Sequence, residues 1–277
     1  MARYGTEHKK ATRRRIVQAA ELTQQDKVLE IGPGLGPLTE VLLEKAGEVL
    51  AVEKDARLVE VLRERFDVGQ ASRLSPSSKK LEPGATPVLR LLHDDALEFL
   101  RREPRDWSDW KLVANLPYSV ASRILVELAQ ARYRPQRMVA TLQLEVARRL
   151  MAKAGEEDYG VLTLLIQLDY EPRDWFKIPA TCFFPSPDVD SACVAFVRRV
   201  QPLLPDAYRE TFVKIVKRAF SQRRKMMMKL LKQDWPEDRL TTALAQLGIA
   251  PHTRAEAVGL ELFARLAQIL NAPAAQR

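Results

Sequence analysis

The chain has 277 residues, with 44 Lys+Arg against 36 Asp+Glu for a net charge of +8; 46% of residues are hydrophobic and 29% charged. That length suits one large domain or two smaller ones, and the balance excludes a disordered or collagen-like chain. No apolar run approaches the ~18 residues needed to cross a bilayer, and the opening MARYGTEHKKATRRR lacks the apolar core of a secretory signal. Two cysteines (Cys182, Cys193) and three scattered histidines (His8, His93, His252) suggest neither a disulfide framework nor a metal site. A cytoplasmic, monomeric, metal-independent protein with no membrane partner is the expectation.

From Lys27 onward, short apolar runs alternate with longer amphipathic ones. Residues 27–32 read as a strand ending in a glycine turn, 37–46 as a helix, 48–55 as a second strand and 56–66 as a second helix. Residues 67–87, rich in Gly, Ser, Pro and Lys, read as a surface insertion. Strands follow at 88–96, 110–118 and 137–143, with helices near 122–131 and up to Ala152. Such repeated β-α-β units predict a doubly wound, mostly parallel α/β sheet. Ligands in these sheets bind beyond the carboxyl ends of the strands. After the linker-like 201–207, four segments (208–220, 224–233, 238–248 and 259–270) carry only helical periodicity. The expected domains are therefore 1–200 and a small all-helical 201–277. Residues 209–232 hold nine cations and one acid, Glu210, and Lys9, Lys10, Arg13, Arg14 and Arg15 crowd the N-terminus. Such runs are either solvated helix faces or polyanion contacts.

The turn Gly32-Pro33-Gly34-Leu35-Gly36 sits where the first strand meets the first helix. A dinucleotide site wants G-x-G-x-x-G, to seat a pyrophosphate on the helix N-terminus. The G-x-G-x-G spacing here instead resembles the first motif of class I S-adenosylmethionine methyltransferases. Glu53, 21 residues after Gly32, can accept hydrogen bonds from ribose hydroxyls. Asp95, followed by Ala96 at the end of the third strand, is a candidate acceptor for the adenine amine, or a plain helix N-cap.

Asn115-Leu116-Pro117-Tyr118 closes the fourth strand and resembles the signature of methyltransferases acting on exocyclic amines. Such an amine is a poor nucleophile, because its lone pair is delocalised into the ring. Acceptors facing its N–H bonds, the Asn115 amide oxygen and the Leu116 carbonyl, favour a tetrahedral nitrogen. Pro117 fixes the turn and Tyr118 offers a stacking ring. Phe183, in Phe183-Phe184-Pro185-Ser186-Pro187-Asp188-Val189-Asp190-Ser191, is favoured over Phe184 for the opposite face of an extruded base. The alternative is two core phenylalanines ahead of a final strand.

Together E-I-G-P-G-L-G, A-V-E-K-D, D-D-A, A-N-L-P-Y, Y-G-V-L-T-L (159–164) and F-F-P-S-P-D-V-D-S resemble the ribosomal RNA adenine N6-dimethyltransferase family. Phe220-Ser221-Gln222-Arg223-Arg224-Lys225 and Arg254-Ala255-Glu256 point to its bacterial small-subunit branch. The resemblance implies a Rossmann-like class I methyltransferase sheet and S-adenosylmethionine as cofactor, held by Gly32, Gly34, Gly36, Glu53, Asp95, Ala96 and Asn115. It also implies dimethylation of two adjacent adenosines in a 3′-terminal hairpin loop of 16S ribosomal RNA within the small subunit. Arg218, Arg223, Arg224 and Lys225 then grip RNA phosphates. A large-subunit RNA methyltransferase, and a ribosome-assembly factor with weakened catalysis, are the other readings. The family's opening G-Q-N-F-L is replaced here by Tyr4-Gly5-Thr6-Glu7-His8-Lys9, which puts Glu7 and Lys9 at its Asn and Leu. Leu144 and Asp188 each replace a cation usual in the family.

Overall fold

The computed structural model describes residues 2–68, 87–102, 105–183 and 186–271. Most of the expected insertion (69–86), together with Phe184 and Pro185, lies outside them. In chain order the elements are α1 (Ala2–Ala19), β1 (Lys27–Ile31), α2 (Pro37–Leu43), β2 (Glu48–Glu53), α3 (Ala56–Phe66), β3 (Val88–His93), α4 (Ala96–Arg102), β4 (Trp110–Asn115), α5 (Ala121–Gln130) and β5 (Arg137–Gln143). Then come α6 (Leu144–Met151), α7 (Val161–Gln167), β6 (Tyr170–Ile178), β7 (Ser191–Arg198), α8 (Arg209–Ala219), α9 (Met227–Leu231), α10 (Glu237–Gln246) and α11 (Leu260–Asn271). The chain divides into two compact units.

The first unit comprises residues 1–147 and 171–198 and holds the sheet. Its strand order is β3-β2-β1-β4-β5-β7-β6. β1 to β5 pair in parallel and β7 runs antiparallel to β5. This is the doubly wound arrangement that the βαβ spacing predicts. Every residue of β2 is buried, as a parallel strand covered on both faces requires. One covering layer is α1 and α2, whose Ile16, Val17, Leu38, Val41 and Leu42 pack, with Ala20 just after α1, on Val28, Val49, Val113 and Val139. In α5, Ala121, Ile124, Leu125 and Leu128 follow the i, i+3, i+4, i+7 pattern of a helix with one buried face. β6 lies at the sheet edge, where Pro172, lacking an N–H, is tolerated.

The second unit comprises residues 148–170 and 199–277. Its C-terminal part begins at residue 199, two residues before the expected start at 201. It also takes in 148–170, which the sequence reading assigns to the first domain. Asp169, 5% exposed, explains the association. Its carboxylate meets the Arg209 guanidinium at the start of α8 with both oxygens, Nη1 to Oδ2 at 2.6 Å, while its carbonyl accepts from Arg199 N at 2.7 Å. The Y-G-V-L-T-L motif opens α7, and the Tyr159 hydroxyl donates to the Val258 carbonyl at 3.0 Å. Phe220 stands between Tyr159 and Phe263, 6.1 and 6.0 Å from their ring centroids. Among the described residues no helix is long and apolar enough to cross a membrane, and no acid, His or Cys cluster could hold a metal.

Candidate active site

The strand order turns at β1, with β2 and β3 on one side and β4, β5 and β7 on the other. The crevice above the carboxyl ends of β1 and β4 is the switch point where open α/β sheets receive ligands. Gly32, Gly34 and Gly36 all occupy the left-handed region, with φ of +68°, +61° and +80°. Only glycine enters that region without penalty. A Cβ on Gly32 would stand 3.4 Å from the Pro117 ring and 3.9 Å from the Asn115 carbonyl, so the β1 and β4 turns abut. A Cβ on Gly36 would come within 2.6 Å of Phe66 and 2.9 Å of Leu62. The third glycine thus lets α3 close against the turn, and Pro37 then starts α2.

Glu53 ends β2 and is 7% exposed. Its Oε1 accepts from Lys54 N (2.8 Å) and Asp55 N (2.9 Å), and its Oε2 from Gly34 N (3.1 Å). A carboxylate has about four acceptor sites, so one on Oε2 stays open. The expected double acceptance from two ribose hydroxyls therefore requires release of the Gly34 N–H. Asp95 serves as the N-cap of α4, its Oδ1 accepting from Leu97 N at 2.9 Å and Glu98 N at 3.3 Å. Its other oxygen meets Lys54 Nζ at 2.9 Å, and the ammonium holds the Asp95 carboxyl below the usual carboxylate range. Asp95 thus makes the N-cap contacts, and it also lines a cavity.

One cavity gathers Gly32, Glu53, Asp95, Ala96 and Pro117 with residues that the motifs did not single out. Ile31, Val52, Leu97, Val120 and Ile124 provide apolar walls, and Asp94 and Lys54 add charge. With Asp95 paired to Lys54 and Asp94 to Arg102, the Glu53 carboxylate still leaves the cavity net negative, which disfavours a pyrophosphate and favours a cation. An apolar slot for a purine, an acceptor for a ribose hydroxyl and a glycine seam without side chains fit S-adenosylmethionine.

Beneath the turn, Glu30 is 1% exposed and its Oε2 has no hydrogen-bond partner. Burial, reinforced by the Glu53 charge, pushes its carboxyl up to about 8 from the usual 4.5. The folded protein keeps Glu30 neutral over a range where the unfolded chain ionises it. Stability is therefore full below about 4.5, falls as pH rises toward 8, and levels off above that. Glu30→Gln should flatten this profile, read as Tm against pH, and be the more stable protein above pH 8. A wild-type Tm that does not fall over that window would contradict the assignment.

At the tip of β4, Asn115 is exposed and its side chain makes no hydrogen bond among the described residues. Leu116 is buried, its N–H donating to the Thr141 carbonyl at 3.1 Å. The Pro117 carbonyl accepts from Val120 N and Ala121 N at 3.1 and 3.0 Å, starting α5. Tyr118 is half-buried, and its hydroxyl lies 2.5 Å from the hydroxyl of Ser191, the fully buried first residue of β7. The sequence reading quoted Ser191 in its motif without giving it a task. Phe183 is half-buried against the cluster beneath α1, and its carbonyl accepts from Lys9 Nζ at 3.3 Å. No ring contact joins it to Tyr118 among the described residues. Phe183 therefore packs on that cluster with only part of its surface, and the rest stays exposed.

In the second unit, the Arg218 guanidinium meets Asp234 (Nε to Oδ2, 2.5 Å) and Gln233 (2.8 Å). Arg223 donates to the Glu157 carbonyl. Arg224 and Lys225 are exposed and make no ion pair among the described residues.

Residues 6–272 match the family described as ribosomal RNA adenine dimethylase. The curated relatives include the ribosomal RNA small subunit methyltransferase A of Latilactobacillus sakei, 38% identical over 93% of this chain and 84% of its own. The protein of the same name from Leuconostoc mesenteroides is 40% identical over 91% and 82%. Among solved structures, the 23S rRNA methyltransferase ErmE superposes with a TM-score of 0.68 at 29% identity, covering 94% of this chain and 97% of its own. A dimethyladenosine transferase from Plasmodium falciparum shares the fold, with a TM-score of 0.74 at 22% identity over 92% and 94%. The chain belongs to the ribosomal RNA adenine dimethylase family and is an S-adenosylmethionine-dependent methyltransferase.

Proposed function

We propose that this enzyme dimethylates N6 of adenosines in 16S ribosomal RNA of the small subunit, at two adjacent positions of a 3′-terminal hairpin loop. One observation carries the site assignment. A Cβ on Gly32 would stand only 3.4 Å from the Pro117 ring, and Gly32 and Pro117 both line the donor cavity, two residues along the β4 turn from the exposed Asn115 amide. Small-subunit RNA is favoured because the curated relatives carrying that name are 34–40% identical to this chain over more than nine-tenths of its length.

When bound, S-adenosylmethionine supplies an electrophilic methyl group on a sulfonium that is an excellent leaving group. This chain's residues orient and hold. Glu53 accepts from the ribose, the apolar walls take the purine, and Asp95 accepts from its amine once Lys54 swings aside. In the first transfer the Asn115 amide oxygen and the Leu116 carbonyl accept the two N–H bonds of the target amine and localise its lone pair. The methylated nitrogen then releases one proton to solvent, which leaves one N–H for an acceptor in the second transfer. Pro117, with its carbonyl committed to α5, keeps both acceptors fixed. Tyr118 presents its ring, anchored through Ser191, and Phe183 covers the second face of the base. Alignment and charge complementarity suffice, with no covalent intermediate. Arg223, Arg224 and Lys225 contact RNA phosphates; Arg218 contributes only by exchanging Asp234 for one.

The test is transfer of labelled methyl groups to purified under-methylated small subunits and, in parallel, to large subunits. Incorporation confined to 16S RNA is expected. Incorporation into 23S RNA alone would replace this reading with the large-subunit one, and subunit binding without transfer would make the chain an assembly factor.

A further inference from the structure

Five of the seven residues from Lys9 to Arg15 are cations, and no acid lies between Glu7 and Glu21. All five belong to α1, which buries Ile16 and Val17 against the sheet. Local contacts account for two of them. Lys9 donates to the Phe183 carbonyl, and the Arg15 guanidinium lies 3.8 Å from the Phe176 ring centroid. Lys10 and Arg14, four residues apart and so on one helix face, are both exposed. Arg13 is half-buried, with its Nε shielded from water and without a partner.

Among the described residues none of Lys10, Arg13, Arg14 and Arg15 makes an ion pair. The richer run at 209–232 differs. There Arg209, Lys214, Arg218 and Lys232 are neutralised by Asp169, Asp206, Asp234 and Glu237. Like charges spaced along one helix destabilise it slightly, so Lys10 and Arg14 add nothing to the fold among the described contacts. A polyanion relieves that repulsion and supplies acceptors for the idle guanidinium N–H groups, whose planar fork matches phosphate oxygens.

We propose that α1 is a phosphate-binding surface for the substrate RNA, with Lys10, Arg13 and Arg14 gripping backbone phosphates near the target adenosine. The inference rests on the reading of ribosomal RNA as substrate. The Lys9–Phe183 hydrogen bond ties this helix to the loop that carries the second stacking ring, so RNA held on α1 and a base held at Phe183 share one rigid support.

Salt dependence of binding to under-methylated small subunits tests the surface. Each phosphate contact contributes about 0.7–0.9 to the slope of log K against log salt. Lys10→Gln/Arg13→Gln/Arg14→Gln should lower that slope by about 2–3 and weaken binding at least about tenfold at physiological salt, with S-adenosylmethionine affinity unchanged by calorimetry. Lys10→Gln/Arg14→Gln alters only exposed side chains, so it folds as wild type and should lower the slope by about 1–2. An unchanged slope in this double variant, while wild type methylates 16S RNA, overturns the surface and leaves the enzymatic reading intact. Wild type that transfers no methyl group to 16S RNA removes both.

Discussion

Asn115→Ala is expected to lower methyl transfer by about 10²–10³-fold, the usual consequence of deleting one preorganised polar group aimed at developing charge. The physical reason is specific to an amine conjugated with a purine ring. Without the amide oxygen, one N–H of the target loses its acceptor and the nitrogen stays planar, with its lone pair in the ring. The Asn115 side chain is exposed and makes no hydrogen bond within the protein, so its removal leaves no buried group unsatisfied. Thermal stability should stay within about 0.5 kcal/mol of wild type. Affinity for S-adenosylmethionine should be nearly kept, because the polar contacts foreseen for the nucleoside are with Glu53 and Asp95. Single-turnover kinetics with calorimetric cofactor binding separates these effects. Near-normal turnover would remove Asn115 from the mechanism.

Asp169→Asn should cost the second unit about 3 kcal/mol. The carboxylate is nearly buried and meets the Arg209 guanidinium with both oxygens, so the amide leaves a mostly buried cation facing a neutral group. Asp206, on the Arg209 Nε at 2.5 Å, is too exposed to compensate. Arg209→Met in the same background should recover part of the loss, because a pair of uncharged groups is better tolerated than an orphaned ion. Urea unfolding of both variants checks this, and a loss under 1 kcal/mol in Asp169→Asn would show that the pair does not hold 148–170 to the helices.

The central strands were legible because β1, β2, β4 and β5 are buried on both faces and read as continuous apolar runs. Their carboxyl ends were harder to fix. The second and third strands were expected to run to Asp55 and Ala96. The chain instead leaves β2 at Glu53, and leaves β3 at His93 before Asp95 caps α4. β6 escaped notice because only Phe176 and Ile178 alternate in YEPRDWFKI, and Pro172 argues against a strand unless it lies on an edge. Among the described side chains of α1, the buried ones are Ile16 and Val17, and the stretch Lys9–Arg15 before them reads as a basic run.

Side-chain partners distant in sequence were out of reach. Nothing local marks Asp169 as the partner of Arg209, 40 residues on, so the sequence alone does not group 148–170 with the C-terminal helices as the compact units do. Asp234, 16 residues beyond Arg218, removes that arginine from the freely available cations. Gly32, Glu53, Asp95, Ala96 and Pro117 are legible in the sequence and line one cavity, because fixed offsets from strand ends convert directly into position at a switch point, whereas Gly34, Gly36 and Asn115 do not line it. The apolar walls Val52, Val120 and Ile124 were not legible, since nothing in their type separates a cavity wall from core.

A crystal structure with S-adenosylmethionine or its demethylated product bound is the most direct measurement of this account. It should show a ribose hydroxyl on Glu53, the purine among Val52, Leu97 and Ile124, and the sulfur facing the Asn115 amide. A ligand seated elsewhere, or a sulfur separated from Asn115 by protein, would contradict it.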